Sequence, residues 1–271
     1  MSSDPPPVAL ITGGSSGLGY AIARAFIDDG YRVMIAGRDQ ERLGDAISRL
    51  GGKHVSGVAA DITSQDGANE LIHSVKSEYG RLDVLINCVG GSDRGLIENL
   101  TGERLIELIQ QNVLTALYCS QAALPLLESS GGAIVNIGSL AAKVGARYIG
   151  GYAAAKHALA GMTQQMRLEL SPKRIHVGLV NPGPIRRDDS GTRYQEKIGD
   201  ELPDQAKKPG AGTRVKGLSP DVVAACVLQC AKKRKPDVVL PRYLRLLIGV
   251  GHLSPRLGDW LLLKFTSSRS G

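Results

Sequence analysis

Aromatic side chains are scarce. Two Phe, one Trp and eight Tyr make up 4 % of the 271 residues. That is too few for a base-stacking platform, no nucleic-acid-binding motif is visible, and no nucleic-acid partner is expected. No window holds 18 uninterrupted apolar residues, so a transmembrane span is not expected. The opening Met1-Ser-Ser-Asp-Pro-Pro-Pro7 has neither a basic region nor a long apolar run, which argues against a secretory leader. The four cysteines (Cys88, Cys119, Cys226, Cys230) lie far apart or across a three-residue gap. They show no metal-type pairing with His, so no metal is expected and reduced cytoplasmic thiols are. What is present fits a globular chain: 42 % apolar and 22 % charged residues, at a length that α/β folds often reach as one unit. The net charge of +7 is unevenly placed. The first three quarters are nearly balanced, and the basic excess falls after Ala206. That excess reads as a membrane-surface contact, a partner contact or a solvated face.

Strand and helix patterns alternate along the chain. Strands are expected at Val8–Ile11, Arg32–Ala36, His54–Ala59, Leu82–Asn87, Ala133–Ile137, Val177–Val180 and Asp237–Leu240. Most are short continuous apolar runs, the mark of strands buried on both faces of a parallel sheet. The first helix shows Leu18, Ala21, Ile22, Ala25 and Phe26 at spacings of three and four, and ends at Gly30. Helices follow at Asp39–Leu50, at Thr63–Tyr79 with Thr63 or Ser64 as cap, at Thr101–Leu127 and at Tyr152–Leu170. A last helix of this part starts at Ser219-Pro220, with Ser as cap. The expected class is α/β: one doubly wound parallel sheet with helices on both faces. Residues 184–216, rich in charge, Gly and Pro, break the rhythm and read as a loop or lid over a ligand.

The first strand–helix junction is Thr12-Gly13-Gly14-Ser15-Ser16-Gly17-Leu18-Gly19. Glycines permit a tight turn and close approach of backbone to a ligand. A helix starting near Gly17 presents free N–H groups and a partial positive charge to a phosphate. The second strand ends Ala36-Gly37-Arg38-Asp39. In dinucleotide folds an acid here grips a ribose 2′-hydroxyl, whereas an arginine accommodates a 2′-phosphate. Gly37 has no carboxylate and Arg38 follows at once, so NADP(H) is expected over NAD(H), with Ser15 and Ser16 as further donors. Asp61, after the third strand, is placed for the adenine end.

Tyr152-Ala-Ala-Ala-Lys156 sets a phenol and an ammonium one helical turn apart on one face. A free phenol is a poor base at neutral pH, and a nearby ammonium favours its phenolate. Ser139, 13 residues earlier at a strand end, is placed to hydrogen-bond a substrate oxygen.

Taken together, Thr12-Gly13-(x3)-Gly17-x-Gly19, Asn87-(x2)-Gly90, Asn112, Ser139, Tyr152-(x3)-Lys156 and Asn181-Pro182-Gly183 resemble, in order and spacing, the short-chain dehydrogenase/reductase family. The likeness covers roughly residues 8–185 and extends to about 240. It implies a Rossmann-type domain with a seven-stranded parallel sheet, and hydride transfer between a nicotinamide and a carbonyl or alcohol. It makes Tyr152 the acid/base, Lys156 the ribose-binding and tuning group, Ser139 the orienter of the substrate oxygen and Asn112 the anchor of a relay water. The implied cofactor set is Gly13, Ser15, Ser16, Gly17, Leu18, Gly19, Arg38, Asp61, Ile62, Asn87, Gly90, Tyr152, Lys156, Pro182, Gly183 and Ile185. Asn87 and Gly90 are expected on the adenosine side, and Pro182-Gly183 beside the nicotinamide. The family also implies a homodimer or homotetramer. Two departures stand out. Asn87-Cys88-Val89-Gly90 replaces the usual Asn-Asn-Ala-Gly, and Pro184-Ile185-Arg186-Arg187 follows where a small hydroxyl residue is common.

The C-terminal part adds a second clue. Lys232-Lys-Arg-Lys235 precedes the last strand, and Tyr243–Leu253 and Pro255–Phe265 are strongly apolar segments. Residues 241–271 are expected to form a helical extension on a domain of residues 1–240. A basic cluster beside amphipathic helices suits an anionic bilayer, and 232–265 is the expected region of peripheral membrane contact. The same helices would serve equally as the roof of an apolar substrate pocket or as a subunit contact. The sequence thus points to an NADPH-dependent carbonyl reductase or alcohol dehydrogenase acting on a small hydrophobic carbonyl compound. A catalytically silent NADP(H) sensor and a membrane-associated interaction protein are the alternatives.

Overall fold

Seven apolar runs become seven parallel strands in the computed structural model, which describes residues 5–186, 202, 206, 210, 213 and 215–266, apart from the side chains of 265 and 266. They are β1 (Val8–Thr12), β2 (Arg32–Gly37), β3 (Val55–Ala59), β4 (Val84–Asn87), β5 (Ala133–Ile137), β6 (His176–Pro182) and β7 (Asp237–Leu240). They form one sheet in the order β3-β2-β1-β4-β5-β6-β7, every pairing parallel. Side chains alternate between the two faces of a strand. Accordingly Ala9 and Ile11 of β1 join one core with Ile22 and Phe26, while Val8 and Leu10 join the other with Leu71 and Leu127. Each face is covered by helices, and this is why inner strands such as β1 and β5 are buried along their whole length rather than alternating.

The helices are α1 (Gly17–Asp28), α2 (Gln40–Arg49), α3 (Gln65–Tyr79), α4 (Gly102–Ile109), α5 (Thr115–Ser130), α6 (Tyr152–Leu170), α7 (Pro220–Lys232), α8 (Leu244–Leu253) and α9 (Pro255–Thr266). α1 packs along α7 on one face, and α3 along α5 on the other. Local chemistry sets several boundaries. Asp39 caps α2 by accepting from Arg42 N, Ser64 caps α3 by accepting from Gly67 N, and Thr101 caps α4 by accepting from Arg104 N. Gly80 and Gly131 take left-handed backbone at the ends of α3 and α5. Ser219 precedes α7 as expected but makes no side-chain capping bond.

Three expectations change. The single helix expected over Thr101–Leu127 is two helices joined by a π-turn at Gln110–Leu114. Asn112 sits in that turn and its amide donates back to Leu108 O and to Gly91 O, at 2.9 and 3.0 Å. An extra residue in one turn leaves apolar spacing almost unaltered, so the sequence pattern does not report it. Second, Lys232–Lys235 lies at the start of β7, whereas α8 follows its far end. Lys232 is bonded there to Asp29, and Arg234 to the carbonyls of Arg174 and Gly131. Two members of the cluster are thus engaged by the body of the fold. Third, of the expected lid over 184–216, residues 187–201 and most of 203–214 lie outside the described residues. Its neck is visible: Leu218 N donates to Pro184 O and Arg186 N to Leu218 O, at 2.7 and 2.8 Å.

The turn from β1 into α1 is a crowded backbone contact. A Cβ on Gly19 would lie 2.1 Å from Gly13 O, and Gly13 itself has φ +70°. Gly44, on the exposed side of α2, has open space around it. Gly19→Ala should therefore cost about 1–3 kcal/mol through overpacking. Gly44→Ala should stabilise by about 0.5–1 kcal/mol through helix propensity. Urea denaturation of the two variants would show opposite shifts in midpoint.

Candidate active site

The sheet order reverses between β1 and β4, and in open α/β sheets ligands bind in the crevice outside the strand ends at such a point. Thr12, at the end of β1, holds the crevice together. Its hydroxyl donates to Ile86 O and accepts from Cys88 N at 3.0 Å, fixing the exit of β4 beside the glycine turn. Ser16 caps α1 in position only, with no side-chain capping bond, and no acidic residue occupies the first turn. The N–H groups of that turn thus face the crevice with neither a capping side chain nor a negative charge. At the end of β2, a Cβ on Gly37 would lie 3.3 Å from Ser15 Oγ. The glycine turn and the second strand therefore converge. Asp39 is occupied as the cap of α2. Asp61 folds back on Thr63, accepting from its N–H and its hydroxyl. These bonds, with a smaller contribution from the Arg38 guanidinium, hold the Asp61 carboxyl below the usual carboxylate range. Ile62 beside it is buried.

On the other side of the switch point lies a cavity of about 790 Å³. Among its lining are Leu18, Gly90, Asn112, Ser139, Tyr152, Lys156, Pro182, Gly183 and Ile185. Three separate stretches of chain thus deliver Asn112, Ser139 and the Tyr152–Lys156 pair to one space. Tyr152 opens α6, and Lys156 follows one turn later with Nζ 5.8 Å from the Tyr152 ring centroid. Lys156 is buried, and its Nζ donates to Ile137 O at 2.9 Å. Burial of the ammonium lowers its pKa from 10.5 to about 8, with the neighbouring Cys88 pulling the other way. Ser139 Oγ accepts from Ala141 N at 3.1 Å, which keeps its hydroxyl hydrogen for another acceptor. Gly90 is needed at its position. A Cβ there would lie 2.6 Å from Asn112 Oδ1 and 3.4 Å from Lys156 Nζ.

These features test whether a dinucleotide suits the site. The α1 turn offers donors to a pyrophosphate. Asn112 Oδ1 is buried without a hydrogen-bond partner among the described residues, close to an ammonium that has donors beyond the one bonded to Ile137 O. The donor set fits a group bearing phosphates and ribose hydroxyls.

Asn87 differs from its expected place. Its side chain is buried beneath the crevice, where its amide donates to Asn136 Oδ1 at 2.8 Å and Ser120 Oγ at 3.1 Å. Asn136 in turn donates to Thr163. A buried amide must find partners, and these belong to β5, α5 and α6, so Asn87 ties layers together instead of facing the cavity.

Sequence reasoning missed Asp93. Its buried carboxylate accepts from Gly151 N at 3.3 Å and from Arg104 Nε and Nη2 at 3.2 and 3.1 Å. Gly150, with φ +52°, sits so close that a Cβ would meet Asp93 Oδ2 at 2.3 Å. Asp93 thus clamps the turn from which Tyr152 starts. Only the Gly150-Gly151 pair before Tyr152 hinted at it. The adjacent Arg94 is buried and lines the same cavity, and its Nε donates to Ala206 O.

Comparison with known proteins agrees with this geometry. Residues 7–197 match the family model described as short chain dehydrogenase. The chain is 36 % identical over 195 residues to the short-chain dehydrogenase/reductase FrzI of a Cladobotryum species, covering 68 % of this chain and 75 % of that one. It is 33 % identical over 186 residues to a 3alpha-hydroxysteroid dehydrogenase of Mediterraneibacter gnavus, covering 67 % and 74 %. The crystal structure of a short-chain dehydrogenase from Streptomyces avermitilis superposes with a TM-score of 0.79 at 26 % identity, over 97 % of both chains. The chain belongs to the short-chain dehydrogenase/reductase family of oxidoreductases.

Proposed function

We propose that the protein is an NADP(H)-dependent carbonyl reductase or alcohol dehydrogenase acting on a hydrophobic ketone or secondary alcohol. The observation that carries this reading is the shared cavity of Tyr152, Lys156 and Ser139, with the lysine buried beneath the tyrosine's helix turn. Family members use NAD(H) or NADP(H). The preference for the phosphorylated form rests on β2. Gly37 has no carboxylate, Asp39 is engaged as a helix cap and Arg38 is exposed at the strand end. In this reading Gly13, Ser15, Ser16, Gly17, Leu18 and Gly19 cradle the pyrophosphate, Asp61 and Ile62 the adenine, and Pro182, Gly183 and Ile185 the nicotinamide half; Gly90, expected on the adenosine side, is assigned to the ribose beside Lys156 because it lines the cavity there.

When bound, the dinucleotide supplies or accepts the hydride. The chain's own groups manage the substrate oxygen. The Ser139 hydroxyl donates to it and fixes its position. Tyr152 Oη donates a second hydrogen bond and gives up its proton as negative charge develops there. Charged Lys156 favours the phenolate that remains and donates to ribose hydroxyls. Asn112 holds a water that returns a proton through Lys156. The cavity's Ile137, Leu140, Ile149, Leu244 and Leu261 suit an apolar substrate. A relative whose name specifies a hydroxysteroid supports a steroid-like compound, and a long-chain 3-oxo compound is the other candidate for an apolar cavity. Residues 1–240 then form the catalytic unit and 241–271 its extension, in a cytoplasmic homodimer or homotetramer with a peripheral lipid contact.

Tyr152→Phe should keep NADPH affinity within a factor of about two and lose at least roughly a hundredfold in turnover, the lower end of what general acid–base catalysis contributes. NADPH oxidation and equilibrium binding, measured together, would separate the two effects. Arg38→Ala should weaken NADPH by roughly ten- to a hundredfold, the loss of a charge-assisted bond, and leave NADH nearly unchanged. Steady-state KM values for both cofactors read this directly. The pH dependence follows from the lowered Lys156 pKa. Binding uses the ammonium, so dinucleotide affinity is full below about pH 8 and declines above it, where the free protein loses that proton. Titration calorimetry across pH 7–10 should show this decline in the parent and a flat profile in Lys156→Met.

A further inference from the structure

The pair α8 and α9 has apolar side chains on both of its faces. Leu244, Leu247 and Ile248 of α8 and Leu261 and Leu262 of α9 turn inward and line the active-site cavity. The two helices cross backbone to backbone, where a Cβ on Gly258 would lie 2.9 Å from Gly251 O. His252, whose Nε2 lies 2.8 Å from Lys143 O, pins α8 to the cavity wall, and Lys143 is itself ion-paired with Asp237 of β7. The outward face is also apolar. Leu253 is 89 %, Leu246 75 % and Trp260 53 % exposed, and Leu257 and Leu263 are exposed with them. A helix apolar all round is normally covered on all sides.

The charges beside this face identify what covers it. Arg242, Arg245, Arg256 and Lys264 are exposed among these residues, against one acid, Asp259. On α9, Arg256, Trp260 and Lys264 follow at spacings of four and share a face, with Lys264 Nζ 4.7 Å from the Trp260 ring. A second copy docking patch to patch would set one net-positive surface against another, because a two-fold interface uses the same patch on both copies. An anionic bilayer satisfies both features. It takes up the leucines and the amphipathic indole while its headgroups attract the guanidinium and ammonium groups. No helix of the described residues is long and apolar enough to cross a membrane, so the contact lies along the surface.

We propose that the outward face of the α8–α9 pair docks the protein on an anionic lipid bilayer. Its inner face roofs the cavity, so a lipid-dissolved substrate reaches the site beneath the docked helices. That route rests on the carbonyl-reductase reading, whereas the docking itself does not.

Trp260 is the chain's one tryptophan, and its fluorescence reports this surface alone. Full-length protein is titrated with phosphatidylcholine vesicles, with and without phosphatidylglycerol. Docking predicts a blue shift of the emission and roughly tenfold or greater tighter binding to the anionic vesicles. Leu246→Glu with Leu253→Glu, two exposed positions outside the cavity lining, should abolish the shift and leave oxidation of NADPH by a water-soluble ketone at the parent rate. Arg245→Glu with Arg256→Glu should remove the preference for anionic lipid. Unchanged Trp260 emission on anionic vesicles would overturn the proposal. So would a blue shift that grows with protein concentration in lipid-free buffer, which would assign the face to a second copy. Absence of NADPH oxidation alongside intact vesicle binding would refute the enzymatic reading and leave the docking surface standing.

Discussion

An ammonium removed from water must be hydrogen-bonded or lose its proton. Lys156 meets that demand with one bond to the carbonyl of Ile137, and its lowered pKa marks how much burial costs the charged form. Much of the surrounding structure serves to hold this group in place. β5 supplies the carbonyl, α6 carries the lysine and the tyrosine on one face, and Gly90 leaves room where any side chain would collide with Asn112, next to Lys156. A ligand offering hydroxyl groups to the remaining N–H donors would raise the fraction of charged lysine. Cofactor binding and the acidity of the neighbouring phenol are thereby coupled through one proton.

The parallel sheet makes this arrangement rigid. The glycine turn leaves β1 and Ser139 follows β5, two strands buried along their whole length. Displacing Ser139 or the glycine turn would require breaking the ladder of β5 or β1. Two smaller devices refine the geometry. The π-turn at Gln110–Leu114 brings Asn112 back toward Gly91, and Asp93 clamps the backbone just before Tyr152. Neither side chain needs to meet a substrate to affect the reaction, since both fix the position of groups that do.

Much of this was legible in the sequence. Most strands lay in short apolar runs, and the burial of β1, β4 and β5 along their whole length followed from the absence of alternation. That Tyr152 and Lys156 share a helix face was legible from their spacing of four, whereas their reading as a site came from their place in the whole motif series. Asp93 was not, because its partners Gly151 and Arg104 are distant in sequence and only the tertiary fold joins them. Asn87 misled for a related reason. Its place at a strand end suggested a ligand contact, yet the demand of a buried amide for partners directed it to Ser120 and Asn136.

The central claim is that this cleft performs redox chemistry and does not merely sense a nucleotide. The most direct measurement uses NADPH deuterated at its reactive carbon, with a set of hydrophobic ketones and mass analysis of the alcohols formed. The account predicts deuterium on the carbinol carbon with the parent protein and almost none with Tyr152→Phe. Tight binding of NADPH without deuterium transfer to any ketone would contradict it.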